Sequence, residues 1–332
     1  MLDLGRSVVD RLLLRTVPGA VDYLHEELRH LSGTEVTGRR HDGVLVTVTG
    51  GMTELANNRY FSGAAVLLDD DPVERLRESA ASGVLSTLPR APRFRIGQIG
   101  EERWRLRDRL EGLGWANEPG DWDINVETGS AGLVAEVGRL YWTSRFGELE
   151  RAPASTTPVI ATVMLRLAKV EAGQTVLDPF CGAGTLLVEA MRGEAGRLLG
   201  ADHDVRWIRA TDRNTSLASH RRDDASPPVT LWRGDARRLP LRDDSVDRVV
   251  ANLPFGKRVG SHQRNKILYP EVLRDIARVL TPRGRAVMLT EDKRLFTQSV
   301  QRTRNIRVIK EVTFTTGGAH PSAYVVTTRR GR

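Results

Sequence analysis

DPFCGAGT, residues 178–185, sets an Asp-Pro pair and two glycines between the β-branched run TVLDPF (175–180) and the helix-patterned GTLLVEAMRG (184–193). Glycines between a strand end and a helix start let the backbone turn tightly and let a ligand approach closely. Three loop types compete for this reading. A P-loop needs Lys-Ser/Thr after its last glycine, and here Thr185-Leu186 follows. A dinucleotide loop needs a third glycine, but Gly182-Ala183-Gly184 runs on into Thr-Leu-Leu. A pyrophosphate also wants an acid-free loop, whereas this one opens with Asp178. An acid suits a cationic ligand, and S-adenosylmethionine carries an ammonium and a sulfonium. Taken alone, the loop fits an ordinary tight turn as well as a cofactor cradle.

Outward from the loop, strand and helix patterns alternate. RLLGAD (197–202) reads as a strand and 204–220 as a helix; VTLWRGDA (229–236) and VDRVVANLPFG (246–256) read as strands. PEVLRDIARVL (270–280) places Val272, Leu273, Ile276, Val279 and Leu280 on one helix face. RAVMLTED, KRLFTQSVQ, RVIKEVTFT and SAYVVTTRR follow as strand, helix and two strands around Gly317-Gly318. This alternation predicts an α/β, Rossmann-like, doubly wound sheet, mostly parallel, with one antiparallel strand at its end. Such sheets bind ligands beyond the C-terminal ends of their strands. Asp178, Asp202, Asp235 and Asn252 all fall at those ends.

Residues 1–150 read as two small α+β units, an N-terminal domain over 1–72 and a second over 73–150. RAPASTTP (151–158) reads as a linker rich in Pro, Ser and Thr, ahead of the sheet domain at 159–332. Residues 1–150 carry 18 Lys and Arg against 24 Asp and Glu, a balance of −6; the remainder carries 32 against 18, or +14. A basic half attracts polyanions, nucleic acid above all. The single Cys181 excludes a disulfide framework and a cysteine-rich zinc site, and the seven histidines show no metal-ligand spacing, so no metal is expected. No apolar run approaches the ~20 residues of a membrane span, and the chain reads as cytoplasmic.

The strand-end residues suit a particular ligand. Asp178 could hold an ammonium, with Gly182 and Gly184 bending the backbone around it. Asp202 could accept both ribose hydroxyls, and Asp235 with Ala236, in GDA, could meet the adenine. Each acid alone is more simply a helix cap or a solvated loop residue; three at successive strand ends fit an adenosine bearing a charged amino acid. Asn252-Leu253-Pro254-Phe255 ends the fourth strand. An exocyclic base amine is a poor nucleophile because its lone pair is delocalised. The Asn252 side-chain oxygen and the Pro254 carbonyl could accept its two N–H bonds and aim the lone pair. Phe255 could stack on the extruded base, worth about 1–3 kcal/mol. Lys257, Arg258, Arg264 and Lys266 could clamp flanking phosphates or lie in a solvated loop. Cys181 reads as a small packed residue.

DPFCGAGT, GAD, GDA and NLPF resemble the motifs of Rossmann-like class I methyltransferases that modify exocyclic amines. The run from NLPFGKRVGSHQRNKILY to TEDKRLF is similar to the THUMP-domain tRNA guanine-N2-methyltransferases, in particular the group acting on guanosine 6 of the acceptor stem. LLRTVPGAVDYLHEELRHL is similar to the start of that family's N-terminal ferredoxin-like domain, and 75–150 follows the order of a THUMP domain. The resemblance implies that Asp178, Phe180, Gly182 and Gly184 contact the methionine part of the cofactor, Asp202 the ribose and Asp235 the adenine. It implies that Asn252, Pro254 and Phe255 hold the target guanine. It also implies that the THUMP region grips the single-stranded 3′ end of tRNA and positions the acceptor stem. The one basic stretch of residues 1–150 runs from Arg90 to Arg109, with Arg93, Arg95, Arg103, Arg105, Arg107 and Arg109; it could form the RNA face, or its i, i+2 spacing on a helix could spread the charges around the cylinder. The alternatives are another tRNA or rRNA guanosine, adenine N6 in nucleic acid, or an RNA-binding protein with a vestigial cofactor site.

Overall fold

Strands covered on both faces become unbroken apolar runs, and Val249-Val250-Ala251 is one, fully buried on each side. The computed structural model describes residues 2–68, 71–97, 99–100, 102–193, 195–220, 226–255 and 262–328. The chain divides into two compact units, Met1–Glu148 and Leu149–Arg332.

The second unit opens with helix α1 (Pro158–Ala168), whose Pro occupies the first turn, where no backbone donor is needed. Then come β1 (Thr175–Asp178), α2 (Thr185–Met191), β2 (Arg197–Asp202), α3 (Val205–Ser219), β3 (Val229–Arg233) and β4 (Val246–Asn252). α4 (His262–Val279), β5 (Leu280–Thr290), α5 (Lys293–Arg302), β6 (Ile306–Thr313) and β7 (Ser322–Thr328) complete it. The sheet order is β3-β2-β1-β4-β5-β7-β6. β3 through β5 are parallel, and β7 alone runs against its neighbours β5 and β6. The expected doubly wound sheet with one antiparallel strand is therefore present. That strand does not lie at the sheet's end: β7 is inserted between β5 and β6. Its first five residues are all buried and need cover on both edges, whereas β6 carries Arg307, Lys310 and Glu311, charges that suit an edge.

Helix α4 differs from its expected form. It begins at His262, eight residues before Pro270, and carries that proline inside. A proline there forfeits the one hydrogen bond its missing N–H would have made. In exchange the helix face gains a turn: Asn265, Tyr269, Leu273 and Ile276 fall at spacings of three and four and are all buried.

The first unit holds one eight-stranded sheet. Its order is Thr34–Arg40, Gly43–Gly50, Val8–Arg15, Gly63–Leu67, Gly132–Val137, Ile124–Gly129, Arg93–Ile96 and Ala116–Asn117. Thr34–Arg40 was not expected from the sequence; its alternating exposure and Gly38 bulge mark a weakly patterned edge. The strand Gly132–Val137 stops short of Trp142, and Trp142–Phe146 forms a short helix. Residue 72 falls inside this unit, where Gly63–Leu67 pairs with Gly132–Val137. Arg145 is clamped here, donating to the carbonyls of Ala56, Asn58, Phe61 and Leu140 and lying 3.7 Å over the Phe61 ring. Burial without a carboxylate partner among the described residues lowers its pKa to about 9.

Candidate active site

The order of the second sheet reverses between β1 and β4, and a cavity of about 890 Å³ opens there, beyond the strand ends. Asp178, Asp202, Asp235 and Asn252 all line it, with Phe180, Gly182, Ala236, Pro254 and Phe255. The four loops thus converge on one hollow.

The glycine loop is tied down from several sides. Asp178 Oδ1 accepts the Phe180 N–H at 3.0 Å, and Asp202 Oδ2 accepts the Gly182 N–H at 3.0 Å. Gly182 takes φ +51°, a left-handed conformation that glycine adopts without penalty. Thr211 on α3 donates to the Gly182 carbonyl at 2.6 Å. Asn214, one turn on and fully buried, donates to the Ala183 and Glu150 carbonyls and accepts the Glu150 N–H.

Gly184 does not face the cavity. Its φ is +83°, and a Cβ there would sit 2.7 Å from Thr211 Cγ2, so close packing of loop on helix requires this glycine. Asp235 lines the cavity but is held by a neighbour: its carboxylate is gripped by Arg237 Nε and Nη2, which draws its pKa down. Arg264 lines the wall and Lys266 does not. Lys257 and Arg258 lie outside the described residues. Cys181 is buried, with its thiol pushed up by desolvation, consistent with a packed residue.

Asn252 is oriented by the segment read as a linker. Its Nδ2 donates to the Ala154 carbonyl at 2.9 Å, and its buried Oδ1 has no partner among the described residues. Ala152 through Thr156 form part of the cavity wall. The Pro254 carbonyl corrects an expectation. It already accepts from Asn265 Nδ2 at 2.6 Å and from the Tyr269 hydroxyl at 2.9 Å. A carbonyl has two lone pairs, so both are engaged and none is left for a substrate amine. Tyr269 is held in turn by Thr290 Oγ1 at 2.9 Å, which accepts the Asp292 N–H at 3.0 Å. Ala154, Thr211, Asn214, Asn265 and Tyr269 were missed from sequence, since none carries a strand-end signal.

Asp178 has the strongest electrostatic signature. It is fully buried, and no Lys or Arg among the described residues pairs with it. Desolvation first, then the nearby Asp202 charge, raises its pKa to about 8, against the lowering effect of the Phe180 N–H. An uncompensated buried carboxyl is matched by a cationic ligand. With the Gly182 turn and the apolar flank of Leu186, Trp207 and Ala236 in the same cavity, the set fits S-adenosylmethionine.

The sequence and the fold have known relatives. Residues 149–322 match the RMKL-like methyltransferase domain, UPF0020. The human protein named tRNA (guanine(6)-N(2))-methyltransferase THUMP3 is 34% identical over 183 residues, covering 52% of this chain and 36% of that protein. The Thermus thermophilus tRNA (guanine(6)-N2)-methyltransferase is 34% identical over 177 residues, 52% of this chain and 50% of its own. The chain thus spans about a third to a half of these relatives' length. The crystal structure of TrmN from Thermus thermophilus superposes with a TM-score of 0.71 at 26% identity, covering 96% of this chain and 99% of that one. A Rossmann-like sheet with strand-end acids around one cavity, and a family match over more than half the residues, have a single reading: the chain belongs to the RMKL-like methyltransferase domain family, and is an enzyme.

Proposed function

We propose that the protein methylates the exocyclic N2 of a guanosine in tRNA, at position 6 of the acceptor stem, with S-adenosylmethionine as cofactor. The observation that carries this reading is the Asn252 amide: its oxygen is a buried acceptor without a partner among the described residues, and it shares one cavity with Phe255 and the strand-end acids. The names of the human and Thermus relatives support the choice of base and position.

When bound, the cofactor supplies a methyl group carried on a sulfonium. Asp178 would hold the ammonium, Phe180 and Gly182 the methionine backbone, Asp202 the ribose, and Asp235 with Ala236 the adenine. Asn252 Oδ1 would accept one N–H of the target amine. That bond holds the nitrogen lone pair toward the methyl carbon and stabilises the positive charge as the nitrogen becomes tetrahedral. Phe255, half-buried on the cavity wall, would stack on the flipped base. The methylated amine is acidic and loses its proton to water, so no strong base is required. Gly184 would act indirectly, by packing the loop.

RNA would be gripped by the first unit, divided functionally as 1–72 and a THUMP-like 73–150, at the acceptor stem and 3′ end. Arg93 and Arg109 are paired with Asp121, Asp123 and Asp71, which removes them from the basic face. Arg95 and Arg103, with Arg107 beside them paired to Glu111, surround a hollow with the exposed Trp104, a basic-aromatic surface of the kind that holds single strands. No helix among the described residues is long and apolar enough to cross a membrane, and a cytoplasmic site of action fits a tRNA substrate. The test is labelled methyl transfer to bulk tRNA, with Asn252→Ala as control: wild-type incorporation lost in the variant supports the reading, and incorporation unaffected by the change removes Asn252 from the mechanism.

A further inference from the structure

Asn265 sits on the first turn of α4, 1% exposed, on the wall of the same cavity as Asn252. Its Nδ2 is spent on the Pro254 carbonyl. Its Oδ1 is buried and has no hydrogen-bond partner among the described residues. Leaving a buried acceptor unpaired costs on the order of 1–3 kcal/mol, so an amide serving only to brace Pro254 would be a poor choice. Tyr269 already braces the same carbonyl without that cost.

The two unpaired amide oxygens bracket one short segment. Asn252 opens it, and Asn265 is bonded to its third residue, Pro254. The O and N of an amide are about 2.2 Å apart by standard dimensions, so Asn265 Oδ1 lies within one residue's reach of Pro254. Two acceptors call for two donors. On its Watson–Crick edge guanine presents adjacent donors, N1–H and N2–H2, whereas adenine sets its amine beside a bare N1 lone pair. We infer that Asn265 is a base-selecting residue whose Oδ1 accepts the N1–H of the target guanine while Asn252 accepts from N2. This inference rests on the guanine-N2 reading above. The site then discriminates by leaving an acceptor opposed to a lone pair whenever adenine enters.

The test uses two RNAs that differ only at the target nucleotide, guanine in one and 2-aminopurine in the other. Both carry the 2-amino group; 2-aminopurine lacks N1–H. Wild type is expected to prefer guanine by about tenfold, the value of one hydrogen bond. In Asn265→Ala that preference falls toward unity. In Asn265→Asp, which keeps an acceptor but loses the donor to Pro254, both rates fall and the preference survives. In Tyr269→Phe both rates fall together with the ratio unchanged. Should Asn265→Ala not fold, the wild-type ratio and the Asp variant decide. Equal losses on both RNAs in Asn265→Ala, no guanine preference in wild type, or a lost preference in Asn265→Asp each overturn the assignment while leaving N2 transfer intact. Transfer to neither RNA by wild type refutes the guanine-N2 reading itself, and the assignment with it.

Discussion

Ala154 holds φ at +61°, and its carbonyl accepts the Nδ2–H of Asn252 at 2.9 Å. A side chain in this left-handed region costs roughly 1–2 kcal/mol. The conformation fixes which end of the Asn252 amide is engaged and which is left for substrate. Ala154→Gly, which adopts this φ freely, is expected to keep methyl transfer within about twofold. Ala154→Pro, locked near −65°, should lower the rate at least about tenfold by releasing the amide. Steady-state rates on one tRNA substrate check both, and an unimpaired Pro variant would contradict the role given to this carbonyl.

The raised pKa of Asp178 predicts a pH signature. In the ligand-free protein its folded-state pKa is about 8 against 3.8 for the free side chain. Its contribution to stability is therefore fully present below about pH 4 and is lost as pH rises toward 8. Asp178→Asn should flatten that part of the stability–pH curve in chemical denaturation. A cationic ligand needs the ionised form, so cofactor affinity should rise from pH 6 to 7.5, with proton release on binding measurable by calorimetry in buffers of different ionisation heat.

Gly184→Ala should damage the fold more than the cavity. The added methyl meets Thr211 Cγ2 at 2.7 Å, on a backbone at φ +83°. A loss of about 1–3 kcal/mol in urea denaturation is expected. Thr211→Ser in the same chain removes the clashing methyl and keeps the hydroxyl that holds the Gly182 carbonyl, so the double variant should recover part of the loss.

Arg145→Met tests the clamp in the first unit. The change strands the carbonyls of Ala56, Asn58, Phe61 and Leu140. Several kcal/mol of destabilisation is expected, on the order of 1–3 for each buried acceptor left dry. Denaturation of the full chain should show the loss, and a change below about 0.5 kcal/mol would contradict the clamp.

Much of the second sheet was legible because parallel strands buried on both faces become apolar runs, and because their C-terminal ends are where polar residues break those runs. Asp178, Asp202 and Asn252 stand at those breaks, and Asp235 lies just past one. What stayed hidden depends on approach through space. Asn265 and Tyr269 reach Pro254 only because α4 continues through Pro270, a residue that reads as a helix start. Ala154 looks like linker, and only its backbone conformation reveals its use. Gly184 looks like part of a cofactor loop, yet its neighbour is Thr211, twenty-seven positions on in sequence and invisible to local pattern.

The most direct test of the central claim is mass analysis of nucleosides from tRNA treated with the protein and isotopically labelled S-adenosylmethionine. N2-methylguanosine carrying the label, formed by wild type and lost in Asn252→Ala, is the predicted result. Label appearing only in N6-methyladenosine, or N2-methylguanosine formed equally by the Asn252→Ala variant, would contradict it.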